Sequence, residues 1–184
     1  MAISLFAKKQ PDSEATKNAF TDFVMAPIKD DGMITRPVFT QASADTCHFS
    51  FVYDRTFSQT VRATIMKVMG GDNKAFQDEV NKLASGNITY AQSLANELMQ
   101  SGKFNEVHVQ PSLGGSCLVT AVFNGQPEGI TNAANALRRS FTPVQQWNEM
   151  QMQGILPTFS MPEPKCGGLF GKANNHTKSD DINR

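Results

Sequence analysis

The chain has 184 residues, room for one domain with a proper hydrophobic core and short for two. Charged residues make up only 18%, and 17 Lys+Arg balance 17 Asp+Glu, so the net charge is zero. That balance argues against a protein built to grip phosphate backbones, which draws its affinity from a basic excess.

No run approaches the roughly 18–20 consecutive apolar residues of a membrane-spanning helix. At the N-terminus Met1-Ala2-Ile3-Ser4-Leu5-Phe6-Ala7 precedes Lys8-Lys9, whereas a secretory signal places its charge first and follows it with a longer apolar stretch. Ala2 also fails the myristoylation pattern. The cysteines, Cys47, Cys117 and Cys166, are odd in number and widely spaced, which argues against a disulfide framework. These features together predict a cytoplasmic protein, for which the triplets Asn87-Ile88-Thr89 and Asn175-His176-Thr177 carry no glycan.

In chain order, residues 1–11 read as a flexible arm ending at Pro11. A helix starting at Asp12 or Ser13 carries Ala19, Phe20, Phe23 and Val24 at helical spacing and stops at Pro27. A turn at Lys29–Gly32 leads to a short strand near Ile34–Thr40, where Pro37 favours an edge position. Cys47–Tyr53 alternates, with Cys47, Phe49, Phe51 and Tyr53 on the face expected to meet the helices. Thr56-Phe57-Ser58-Gln59 reads as a capping box opening a helix that Gly70-Gly71 closes.

Two further helices are expected, at about 72–84 ending at Gly86 and about 89–101 ending at Gly102. Strands follow at Glu106–Gln110 and Ser116–Phe123. The second is so continuously apolar that cover on both faces is expected. A helix through Ile130, Ala133, Ala134, Leu137 and Phe141 comes next, then a short one containing Val144 and Trp147.

The fold class that follows is α+β, a four-stranded, mostly antiparallel sheet packed with five or six helices over residues 12–156. Helix–strand–strand–helix occurs twice. Gln41-x-Ser43-x-x-Thr46-Cys47 matches Gln110-x-Ser112-x-x-x-Ser116-Cys117 with one residue inserted, which suggests a duplication. From 157 to 184 prolines and small polar residues predict a largely disordered tail.

Chemistry-bearing motifs fail on spacing or context. Gly167-Gly168-Leu169-Phe170-Gly171-Lys172 lacks the leading Gly and the Ser or Thr after Lys that a phosphate loop needs. Cys47 and His48 are neighbours on a strand and point to opposite faces, so they cannot chelate a metal together. The carboxylate pairs Asp30-Asp31, Asp78-Glu79 and Asp180-Asp181 are tied by no motif to a nucleophile. No catalytic residue, cofactor site or metal site is expected.

The alternatives are a pocket near His48, His108 and Cys117, or a single-strand nucleic-acid surface on Arg62, Lys67, Arg138 and Arg139. The leading expectation is a non-enzymatic interaction protein: an adaptor, a chaperone-like protein or a structural subunit, with protein partners, a homo-oligomer among them. Its expected contacts are Leu5, Phe6 and Lys8, the matching Leu169, Phe170 and Lys172, and an apolar region around Trp147 and Met150. Ala2-Ile3-Ser4-Leu5-Phe6 resembles the pentapeptide by which bacterial proteins dock on the replication sliding clamp, without its usual leading Gln.

Overall fold

The computed structural model of the chain describes residues 13–163. The arm at 1–11, its contacts Leu5, Phe6 and Lys8, and the tail contacts Leu169, Phe170 and Lys172 lie outside the described residues.

The elements run α1 (Ser13–Met25), β1 (Ile34–Gln41), β2 (Thr46–Tyr53), α2 (Gln59–Val68), α3 (Asn73–Gln100), β3 (Glu106–Pro111), β4 (Cys117–Asn124), α4 (Pro127–Phe141) and α5 (Val144–Gln153). The four strands form one antiparallel sheet in the order β1-β2-β4-β3. The α+β class therefore holds, with five helices among the described residues. None of these helices is long and apolar enough to cross a membrane.

Strand alternation decides where the core lies. Cys47, Phe49, Phe51 and Tyr53 of β2 and Cys117, Val119, Ala121 and Phe123 of β4 are all buried on one face. The apolar stripes of α1 (Phe20, Val24), α3 (Ala91, Ala95, Leu98) and α4 (Ile130, Ala133, Ala134, Leu137, Phe141) are buried with them. Phe20 is the hub, 4.9 Å from Phe39, 5.2 Å from Phe49 and 5.5 Å from Phe123 between ring centroids. Tilted and offset contacts of this kind add to the burial itself.

Among the described residues no helix covers the opposite sheet face, which corrects the expected double cover of β4. Leu118 is 37% exposed and Val38 on β1 51%. Antiparallel sheets tolerate this because Thr40, His48, Ser50, Thr120 and Gln110 solvate the rest of the face. Both edges are blunted against further pairing. β1 carries a bulge between Thr35 and Val38, with Arg36 at φ 52° ahead of Pro37, and β3 is short and ends in Pro111.

The two hairpins share one register. Cys47 pairs with Phe123 and Tyr53 with Cys117, so a shift of 70 residues (117 − 47) maps the central pairing onto itself about Ser50–Thr120. The same shift carries the pair Gln41–Cys47 onto Pro111–Cys117, and the turn bond Ala42 N–H to Thr46 O (3.0 Å) onto Ser112 N–H to Ser116 O (2.8 Å). No inserted residue is needed. The correspondence stops at the hairpins, since α2 buries no residue and α4 buries five, and a repeat of the whole unit is not confirmed.

Three other expectations change. The helices expected on either side of Gly86 are one 28-residue helix, about 42 Å long. A mid-helix glycine costs about 1 kcal/mol. Breaking the helix there would orphan the backbone groups of two new ends. The cap of α2 is Ser58, whose Oγ accepts the Val61 N–H at 3.2 Å, while Asp54 caps the short 3-10 turn Arg55–Phe57 ahead of it. Finally, the packed chain runs past residue 156: Phe159 is buried against Phe20 and Phe23, and Met161 packs on the core. Sequence reasoning missed this because Pro157 and Pro162 flank it and its partners lie far back on α1.

Candidate functional site: the cleft between α3 and α4

Helices α3 and α4 both turn their apolar stripes toward the sheet, which leaves the polar stripes beside them facing each other. On α3 that stripe is Tyr90, Ser93, Glu97, Gln100 and Ser101, and on α4 it is Asn132, Asn135, Arg139 and Ser140, each at three- to four-residue spacing. Ser140 shares a hollow with Tyr90 at one end and Asn132 shares one with Lys103 at the other, so the helices run antiparallel.

The cleft consists of two adjoining hollows that share Glu97 and Ser140. The inner one, about 220 Å³, has apolar walls from Ile34, Leu94 and Phe141 and reaches Tyr53 of the sheet. The guanidinium of Arg55 lies 3.7 Å from the Tyr90 ring centroid near it. Burial pushes the Tyr53 hydroxyl up to about 12, against the pull of Arg55, so it is a neutral donor at ordinary pH. The outer hollow, about 520 Å³, is bounded by Lys103, Arg139, Trp147 and Pro157.

Among the described residues no hydrogen bond or ion pair joins α3 to α4 across this cleft. Glu97 and Arg139 carry opposite charges into the same hollow, and among the described residues neither has an ion-pair partner. Asn135 Oδ1 and the Ser101 hydroxyl are engaged within the chain, while the side chains of Glu97, Gln100, Asn132 and Lys103 have no hydrogen-bond or ion-pair partner among the described residues.

Trp147 and Met150 are the expected contact residues that the structure describes, and both are half-buried on α5. The Trp147 ring holds the Arg139 guanidinium at 5.6 Å and forms one wall of the outer hollow. Gly154, at φ 71°, ends α5 in a Schellman motif: its N–H bonds Gln151 O at 3.1 Å, and Ile155 N–H bonds Met150 O at 3.0 Å. The chain then returns along α4, where the Phe159 N–H donates to Asn135 Oδ1 at 2.8 Å.

His48, His108 and Cys117 are not brought together. His48 and His108 sit on β2 and β3 with β4 between them, two strand spacings or about 10 Å apart across the sheet and two residues out of register along it. Cys117 is buried on the other face. His108 Nε2 lies 2.8 Å from Glu106 Oε2 at the surface. Burial pushes the Cys47 thiol up to about 11, and burial followed by the nearby Asp54 carboxylate raises Cys117, so both thiols stay protonated and unreactive. Among the described residues no three His, Cys, Asp or Glu side chains cluster as metal ligands.

The basic residues are likewise dispersed and partly committed. Arg62 donates to Thr56 O at 2.7 Å from α2, and Arg138 donates to Phe23 O at 2.9 Å and lies 5.0 Å from that ring centroid. Lys67 is exposed on α2, and only Arg139 of the four enters the cleft. Sequence reasoning missed Glu97, Asn132 and Asn135. The signal available was a polar stripe flanking each apolar stripe, but nothing local says that two such stripes face each other.

Compared with protein-family models, with curated proteins and with solved structures, the chain matches none.

Proposed function

We propose that this protein is a non-enzymatic interaction protein, an adaptor or a subunit of a larger assembly, and that it docks its partner through α5. The observation that carries this reading is the apolar side of that helix. No residue of α5 is buried, yet Val144 is 76% and Met152 88% exposed, and Ile155 at 59% follows directly after the cap. The segment is held at both ends, by Trp147 against Arg139 and by Phe159 in the core, so its apolar side chains are presented in a fixed place. Large apolar side chains exposed along one helix are candidates for a contact site, and each one covered by a partner contributes about 1.5–3 kcal/mol when fully buried. The Leu5-Phe6 and Leu169-Phe170 pairs belong to the same proposal as peptide-like anchors.

The test is light scattering after size exclusion, with affinity capture from the native lysate, on the full chain and on a Val144→Asp, Met152→Glu variant. The full chain is expected to carry a stoichiometric partner, or a second copy, that the variant loses while its thermal midpoint is unchanged. A wild-type chain that is strictly monomeric and retains nothing sinks the proposal.

A further inference from the structure

Resting on that reading, we infer that the α3–α4 cleft receives an extended acidic peptide segment of the partner. One apolar or aromatic side chain of the peptide enters the inner hollow and one carboxylate lies beside Arg139 and Lys103.

Length comes first. From Tyr90 to Gln100 the α3 wall rises about 15 Å, and the outer hollow continues to Lys103, so the cleft accommodates four to six residues at about 3.3 Å each. The walls also have the complement of a peptide main chain. Gln100 and Asn132 each offer an amide acceptor and donor, Asn135 adds its amide donor, and Glu97 at the junction of the hollows is an acceptor with no ion-pair partner among the described residues. The Asn135 oxygen shows the mode of contact but is itself taken, accepting the N–H of Phe159 in a stretch without helix or strand. The inner hollow, about 220 Å³, has room for one large side chain, with Ile34, Leu94 and Phe141 to pack on it and Tyr53, Ser93 and Ser140 as polar limits that suit an aromatic ring.

Charge selects the sign. Arg139 and Lys103 line the outer hollow against the single carboxylate of Glu97, and neither cation has a carboxylate within ion-pair distance among the described residues. Trp147 fixes the Arg139 guanidinium without neutralising it. A carboxylate can form charge-assisted hydrogen bonds there with little reorganisation of the site.

Trp147 is the only tryptophan in the chain and lines the cleft, so its emission reports occupancy directly. The probes are acetylated, amidated hexapeptides of Gly and Ser carrying one Phe and one Asp three residues apart, made in both orders. The controls replace Asp by Asn or Phe by Ala. One order is expected to shift Trp147 emission saturably in the submillimolar range, and either replacement should weaken binding at least fivefold. In Arg139→Gln, or in Lys103→Gln as a second variant outside the helices, the Asp peptide should bind no better than the Asn peptide. The inference is overturned if neither order saturates below several millimolar, or if Asp and Asn peptides bind alike to the wild type. Loss of the native partner in the Val144→Asp, Met152→Glu variant alongside failed peptide binding would remove the cleft inference and leave docking through α5 standing. Peptide binding by a chain that retains no partner would do the reverse.

Discussion

Asn87 lies inside α3 with none of its surface exposed, an unusual place for an amide. Its Oδ1 accepts the Arg55 N–H at 3.0 Å, and its Nδ2 donates to Asp54 Oδ1 at 2.8 Å and to Gly115 O at 3.1 Å. One side chain thus ties the end of β2 and the approach to β4 to the long helix. Gly115 must be glycine for the same junction: its φ is +93°, and a Cβ there would meet the Ala84 carbonyl oxygen at 2.6 Å. Removing the amide leaves buried polar groups without partners, so Asn87→Ala should cost about 2–3 kcal/mol in urea unfolding. A loss below about 0.5 kcal/mol would show that the network is replaced by water. The same burial closes Asn87 to glycan attachment in the folded chain.

At the scale of elements, α3 shows how a local rule and a global one compete. Gly86 has open space around it and no special φ, so nothing in the packing requires glycine there. Replacing it with Ala should stabilise the protein by roughly 0.5–1 kcal/mol, read as a raised urea midpoint at unchanged slope. Destabilisation would mean that the helix needs to bend at this point. The helix also explains what was legible. The buried stripe of α4 and the alternation of β2 stand in the sequence as periods of neighbouring residues, and both are found as expected. The continuity of α3 and the cap at Ser58 were misread because glycine and capping signals each report one local term, while the packing of Ala91, Ala95 and Leu98 decides whether the helix continues.

For the whole molecule, the one-sided core makes stability sensitive to alkali. Burial lifts Cys47 from 9.0 to about 11 and Tyr53 from 10.0 to about 12. The folded chain then keeps protons that the unfolded chain releases, so the contribution of these groups is complete below about pH 9 and is lost as pH rises toward 12. Urea midpoints should be level from pH 7 to 9 and fall beyond it, and Tyr53→Phe should remove the upper part of the fall. A profile that stays level to pH 12 contradicts the burial of both groups.

By itself the sequence determined the α+β class, the strands that meet the helices and the inward stripes of α1 and α4, because helix and strand periods are written between residues a few places apart. The order β1-β2-β4-β3, the face of β4 that the described helices leave uncovered, the return of Phe159 to the core and the opening between α3 and α4 were decided only by the tertiary structure. Each of these depends on residues distant in the chain, such as Phe159 packed on Phe20. Such pairings are chosen by which apolar faces bury one another best, a competition that no single stretch of sequence records.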